Sequence, residues 1–418
     1  MDSIHVQGGI ALQGKVRIQG SKNAALPILA ASLMAEGQVT LENVPKIADV
    51  YGMLHILTDL GCGIRWERDS VTIDPAGAQL GHVSGESATS MRSSIFLLGA
   101  TLAREGRAVL THPGGCVIGK RPIDLHLKAL ARMGVSFEER DGLLWAMAEQ
   151  GLKPAQIELD FPSVGATENV IMAATAAMGI TRVTGAAREP EVQALCQFLQ
   201  AAGASVEGAG TSELVIEGGR PLKGIRFSVP SDRIVAGTYL FAGFTAGGSM
   251  LLENAPVMHL EAVLNVAEKM GAGITLTEDG VYAQFPERAK RLPSLTTAVY
   301  PGFPTDLQSV ILAASCIGKG KTLIRETIFE NRFRIVEDLR RMGACVEVLD
   351  EKNVLVRGAE RLFGARVEAR ELRGGAALVV AALGAEGETV ITGRKYIDRG
   401  YENICRDFRE LGARIVSE

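Results

Sequence analysis

Cysteine is sparse: the six residues at 62, 116, 196, 316, 345 and 405 form no CxxC pair and have no histidine at zinc-ligand spacing. A disulfide framework and a structural zinc site are therefore excluded, and the thiols read as free, most of them buried. Aromatic residues make up 5% of the chain and two of them are tryptophan, which leaves little to stack on the bases of a single strand. Charge of one sign is also lacking, since 44 Lys and Arg stand against 48 Asp and Glu for a formal charge of −4, without a long basic run. Nucleic acid and membrane surfaces are therefore poor partners. The best apolar segments, such as AALPILAASLMA, are too short to span a bilayer, and MDSIHVQGG lacks the basic and apolar regions of a signal peptide. A cytoplasmic location is expected. The six histidines make neither His-x-His nor His-Glu-x-x-His, and no GxGxxG follows a strand in a βαβ unit, so neither a metal nor a dinucleotide cofactor is expected.

Glycine is in excess, 48 of 418 residues, against about 7% in ordinary chains. At roughly 150 residues per domain, this length predicts two or three domains. An apolar residue followed by glycine recurs at Gly61, Gly134, Gly203, Gly271, Gly343 and Gly412, separated by 73, 69, 68, 72 and 69 residues. Positions 8, 4 and 1 before each glycine form one face of a helix, as in Met53/Leu57/Leu60 and Ile335/Leu339/Met342; His126, with Leu130 and Met133, is the one exception to the apolar rule. A more apolar helix precedes each, ending near Gly37, Gly106, Gly179, Gly247, Gly320 and Gly387, and being apolar all round it belongs inside. Short β-runs such as QVTLEN and hairpin signals such as ITLTEDGVYAQ complete a β-α-β-α-β-β unit, six in all. The sixth unit ends one strand short at ARIVSE, and IHVQG at the N-terminus is a strand without a unit. Residues 1–20 with 231–418 are accordingly expected to form one three-unit domain and 21–230 the other.

Function is expected where the units differ. The glycine-to-glycine distance within a unit is 24, 28, 24, 24, 23 and 25 residues, so the second unit carries about four extra, in THPGGCVIGKRPIDL at 111–125. Gly114, Gly115 and Gly119 give this insertion freedom to move, and Lys120 with Arg121 favours a thiolate at Cys116. It reads as a lid bearing a reactive cysteine. Fourteen residues before the first-helix glycines stand Asn23 (beside Lys22), Arg92, Gly165, Arg233, Asp306 and Arg373. Helix starts favour anions, and this register gathers cations with a single carboxylate. Asp306, in YPGFPTDLQ, is either a helix cap or a general base. Arg332 and Arg399 enter the second helices of the last two units, and FPSVGATEN at 161–169 joins a small hydroxyl and a glycine at a helix start.

SKNAALP at 21–27, MRSS at 91–94, PGGCVIGKRPIDLH at 113–126, SVGATEN at 163–169, AAREPE at 186–191, FPTD at 303–306, FENRF at 329–333 and IDRGYE at 397–402 together resemble the enolpyruvyl transferases over the whole chain. The glycine-flanked cysteine loop is specific to the cell-wall branch; the alternative is the branch acting on 3-phosphoshikimate, and a non-enzymatic ring such as a sliding clamp would need an extended positive lining. The resemblance implies an α/β fold of two inside-out barrel domains, three repeats each, around an interdomain cleft. It implies transfer from phosphoenolpyruvate to UDP-N-acetylglucosamine in peptidoglycan synthesis, without a cofactor, by a monomer or weak homo-oligomer. By that resemblance Cys116, Asp306, Lys22 and Arg399 are catalytic, Cys116 being the lid thiol and the fosfomycin target. Lys22, Asn23, Arg92, Arg121, Arg332, Arg373 and Arg399 would bind phosphoenolpyruvate, whose phosphate and carboxylate suit bidentate arginine. Asn23, Arg92, Arg121, Pro122, Ile123, Asp124, Leu125, Ser163, Val164, Gly165, Asp306 and Ile328 would bind the UDP-sugar. Glu371-Leu372-Arg373 departs from the family's Asp-Leu-Arg by one methylene.

Overall fold

The computed structural model describes residues 2–79, 95–111, 123–140 and 142–418. The chain divides into two compact units, one running between Gly20 and Pro230, the other joining Ser231–Glu418 to the N-terminal stretch ending at Gln19.

In the Gly20–Pro230 unit the helices Lys22–Ala31, Phe96–Glu105 and Val164–Ala176 lie in the core. Ala24 through Ala31 are all buried, which an all-round apolar helix requires. Ser21 and Ser163 cap their helices, accepting from Ala24 N at 3.3 Å and Ala166 N at 3.4 Å. Three small sheets belong to this unit. Arg226–Ser228 pairs in parallel with Val39–Glu42, which continues through Ser70–Asp74 to Gly63–Glu67. Arg107–Thr111, Leu143–Met147 and Ser136–Arg140 form the second, and Ser205–Glu207, Glu213–Gly218, Gly179–Thr184 and Gln156–Glu158 the third.

The other unit buries Arg233–Ala246, Gln308–Ser315 and Leu372–Leu383. Its sheets are Gly273–Thr277, Gly280–Gln284, Gly248–Glu253 and Leu12–Arg17; then Ser294–Thr296, Lys321–Arg325, Asn353–Arg357 and Cys345–Asp350; then Arg366–Glu368, Glu388–Thr392, Ser3–Gln7 and Arg414–Ser417. Ser3–Gln7 lies antiparallel between Glu388–Thr392 and Arg414–Ser417, with Ile4 opposite both Ile391 and Ser417. Among the described residues no helix is long and apolar enough to cross a membrane.

The expectation of two barrels built from six β-α-β-α-β-β repeats is corrected. Among the described residues no sheet closes: each holds two to four strands and ends on edges, such as Gln156–Glu158 and Ser205–Glu207, that pair with no neighbouring sheet. Closure needs continuous hydrogen bonding around the ring, which separate sheets laid over helices do not provide. Nor does one unit order repeat throughout, since Leu362–Phe363 and Ala385–Glu386 form a ladder of their own, and residues 394–410 hold two short helices, Arg394–Ile397 and Ile404–Glu410. The six glycines mark something local: all take a positive φ between 88° and 113°, where a side chain is strained. Helix ends recur in sequence without dictating which strand edges meet.

Candidate active site

Lys22 and Asn23 open a buried helix just after its Ser21 cap. Lys22 Nζ lies 2.6 Å from Asp49 Oδ2, with only 12% and 6% of the two side chains exposed. Asp49 went unnoticed in the sequence, although it stands one helical turn before Met53 on the buried stripe Met53/Leu57/Leu60. A carboxylate on an apolar stripe was the available signal.

Ser163, Val164 and Gly165 open the helix Val164–Ala176, and Thr167 ties the turn by donating to Ser163 O at 2.8 Å and accepting from Ala187 N at 3.0 Å. Ile123 precedes the helix Asp124–Arg132, whose first turn leaves Asp124 exposed and Leu125 half-buried. Leu125 with Lys128, Arg132, Glu158 and Asp160 lines an open groove of about 550 Å³. Within SVGATEN, Glu168 is fully buried and neither of its carboxyl oxygens has a hydrogen-bond partner among the described residues. Burial, then the charges of Glu191 and Glu189, push its carboxyl well above the ordinary carboxylate range. Asn169 is buried beside it in sequence and bonds to His126, Gly165 and Gly99.

In the other unit, Asp306 lies inside the 3₁₀ turn Thr305–Leu307, whose cap position is Pro304. Its Oδ1 accepts from Arg332 Nη2 at 2.6 Å and its Oδ2 from Arg373 Nη2 at 2.8 Å. The guanidinium side chains are 1% and 5% exposed, the carboxylate 24%, so the cations are the buried partners and the acid faces outward. Arg332 Nε also reaches Thr305 Oγ1 at 3.3 Å, and Thr305 donates to Glu326 Oε2 at 3.0 Å. Glu326 Oε1 in turn accepts from Ile328 N at 2.7 Å, which fixes the backbone at Ile328. Glu326, fully buried, is a second residue that the sequence patterns did not single out.

Glu371 answers the question raised by its extra methylene. It caps Leu372–Leu383, accepting from Arg373 N at 2.8 Å and from Gly374 N, and so aims the chain that carries Arg373. Burial works against the Arg373 charge, but Asp306, Tyr401 and Asp232 outweigh it and raise the group further. Its Nη1 is buried with no hydrogen-bond partner among the described residues. Arg399 is half-buried. The turn after it is clamped by Gln19, which donates to Gly400 O at 3.1 Å and accepts from Glu402 N at 2.8 Å.

The structure thus brings Asp306, Arg332, Arg373 and Ile328 together in one unit, and in the other links Ile123–Leu125 to Ser163–Gly165 through His126 and Asn169. Arg92, Cys116, Arg121 and Pro122 lie outside the described residues, as does most of the expected lid.

The family model for EPSP synthase (3-phosphoshikimate 1-carboxyvinyltransferase) matches residues 6–408. Among curated proteins, UDP-N-acetylglucosamine 1-carboxyvinyltransferase 2 of Caldanaerobacter subterraneus subsp. tengcongensis is 42% identical over 416 residues, covering 100% of this chain and 99% of its own. UDP-N-acetylglucosamine 1-carboxyvinyltransferase of Nitratidesulfovibrio vulgaris is 43% identical over 418 residues, with 100% of both chains covered. Among solved structures, the enolpyruvyl transferase NikO from Streptomyces tendae superposes with a TM-score of 0.89 at 25% identity, over 99% of this chain and 98% of its own. With both a full-length family match and relatives this close, the chain belongs to the enolpyruvyl transferase family, on the branch of the UDP-N-acetylglucosamine 1-carboxyvinyltransferases.

Proposed function

We propose that the protein transfers the enolpyruvyl group of phosphoenolpyruvate to the 3′-hydroxyl of UDP-N-acetylglucosamine, giving UDP-N-acetyl-3-O-(1-carboxyvinyl)-glucosamine and phosphate. This is the first committed step of peptidoglycan synthesis. The observation that carries the reading is full-length identity of 42% and 43% to relatives named for this activity. The donor is shared with the 3-phosphoshikimate branch, so the acceptor is what separates them.

In the reaction, the sugar oxygen bonds to C2 of phosphoenolpyruvate while C3 gains a proton, giving a tetrahedral phospholactoyl intermediate. The C2–O bond to phosphate then breaks and C3 loses a proton, which restores the vinyl group. Asp306 accepts or orients the proton of the 3′-hydroxyl; the paired guanidiniums at 2.6 and 2.8 Å fix where its oxygens point. Lys22, Asn23, Arg332, Arg373 and Arg399, with Arg92 and Arg121, serve the phosphate and carboxylate of phosphoenolpyruvate. Asn23, Arg92, Arg121 to Leu125, Ser163 to Gly165, Asp306 and Ile328 serve the UDP-sugar, and Cys116 is the lid thiol. The protein acts in the cytoplasm as a monomer or weak homo-oligomer.

Phosphate release is measured with each acceptor. Turnover with UDP-N-acetylglucosamine and none with 3-phosphoshikimate is expected; the reverse overturns the reading. Asp306→Asn should lower turnover by at least ~10²-fold, and retention of more than about a tenth of the rate in a folded variant would remove Asp306 from the mechanism.

A further inference from the structure

His126 is the residue that breaks the apolar register of the glycine-ended helices, and in the fold it is buried at the first turn of Asp124–Arg132. A polar ring at such a place needs a partner, and Asn169 supplies it. Asn169 Nδ2 lies 3.0 Å from His126 Nδ1 and 3.1 Å from Gly165 O, while Asn169 Oδ1 accepts from Gly99 N at 2.6 Å. The Gly99 N–H can only donate and the Gly165 carbonyl can only accept. The Asn169 amide therefore sits one way round, with its NH₂ toward the histidine. His126 Nδ1 must then present its lone pair to the amide and accept from it.

The ring's other edge packs on glycine. A methyl group at Gly165 would stand 2.9 Å from His126 Cε1 and 3.3 Å from Nε2, so the approach requires that residue to have no side chain. One imidazole thus touches the opening turn of Val164–Ala176 twice, at Gly165 directly and at Asn169 one turn on. It follows Leu125 directly in the chain. Three helices meet at Asn169: its own, Asp124–Arg132 and Phe96–Glu105.

We propose that His126 is a positioning residue for the nucleotide: through Asn169 and Gly165 it sets the spacing between the segments Ile123–Leu125 and Ser163–Gly165, and with it the affinity for a uridine diphosphate. This rests on the reading of those two segments as the UDP wall. His126 touches no reacting atom in this scheme. Its loss should weaken nucleotide binding and leave the chemical step alone.

The test uses the full-length enzyme, with steady-state kinetics in both substrates and calorimetric titration with UDP. His126→Leu removes the acceptor, and His126→Asn restores one near the Nδ1 position. One buried hydrogen bond is worth about a tenfold change, so His126→Leu should raise KM for the UDP-sugar and Kd for UDP about tenfold. Its kcat and KM for phosphoenolpyruvate should stay within about twofold of wild type, and His126→Asn should recover most of the UDP affinity. Asn169→Ala should resemble His126→Leu, and the double variant should be no worse than the worse single, because both break one network. Equal damage to both KM values, a fall in kcat alone, unchanged UDP affinity in either single variant, or no recovery in His126→Asn would overturn the proposal. If His126→Leu fails to fold, the comparison of His126→Asn with Asn169→Ala decides it alone. Leu125→Ala is the separate arm: if it binds UDP as wild type does, the segment assignment falls, whereas normal UDP binding confined to the His126 and Asn169 variants removes only the positioning role.

Discussion

Replacing Glu168 by glutamine should change how the protein's stability depends on pH. Glu168 is fully buried on Val164–Ala176, neither carboxyl oxygen has a hydrogen-bond partner among the described residues, and Glu191 and Glu189 add negative charge nearby. The same carboxyl helps burial push the Cys196 thiol up to about 12. A charged Glu168 would be a buried ion without a counter-ion, so the folded chain keeps it protonated. In the unfolded chain it titrates as an ordinary carboxyl near ~4.3. Above that pH the native state therefore holds one proton more than the unfolded state, and stability falls as pH rises until the folded-state pKa is passed. The slope for one proton is about 1.4 kcal/mol per pH unit.

Glu168→Gln preserves the shape and removes the titration. Its stability relative to wild type should be near zero difference, or slightly negative, at pH 4.5 and should improve as the pH rises, with a slope of up to about 1.4 kcal/mol per unit, until the folded-state pKa is passed. One pH unit at that slope is about a tenfold change in the unfolding constant. Urea unfolding of both proteins at each pH gives the difference, in which the other carboxyls cancel. Because two units need not unfold together, hydrogen exchange at the amides of Val164–Ala176 provides the same comparison for one unit. A difference independent of pH, or one that grows as the pH falls, would refute the buried neutral acid.

Gly99→Ala should lower stability by about 1–3 kcal/mol, seen as a lower melting temperature, because the new methyl would stand 2.6 Å from Asn169 O, a backbone atom that cannot turn aside. Asp49→Ala should depress kcat/KM at least ~10-fold, since it removes the carboxylate 2.6 Å from the largely buried Lys22 Nζ; rates near wild type would show that Lys22 does not depend on Asp49. An electrophilic phosphonate epoxide should label Cys116 first, faster with UDP-N-acetylglucosamine and slower with phosphoenolpyruvate. Burial pushes Cys62 and Cys405 up to about 11 and Cys316 up to about 12, which leaves Cys345 as the exposed competitor among the described cysteines. Peptide mapping that finds Cys345 modified ahead of Cys116 would sink the lid-thiol mechanism.

Helices were legible because their signals are local. An apolar residue every third or fourth position buries one face, and the core helices, apolar all round, were placed inside from composition alone. Sheet pairing was not legible in the same way. Arg226–Ser228 pairs with Thr40–Glu42 across most of a unit, and Leu12–Arg17 with Gly248–Glu253 from beyond the other unit in sequence. No repeat length contains those distances, and extrapolating from evenly spaced helix ends to closed barrels assumed edge pairings that do not form. The site divides along the same line. Asp306 and Arg373 share a register that counting could find, while Glu326, which orders Thr305 and Ile328 beside them, enters from another segment. Asp49, which the sequence reading missed, His126, which it noted, and Glu168 are marked in one consistent way, because each puts a polar group on a face whose neighbours are apolar. A buried polar group costs stability unless something holds it. Lys22 pairs with Asp49 and Asn169 with His126, whereas burial pushes the Glu168 carboxyl well above its ordinary range. Departures from a helix's apolar pattern therefore mark the residues whose partners have to be looked for more directly than the pattern itself does.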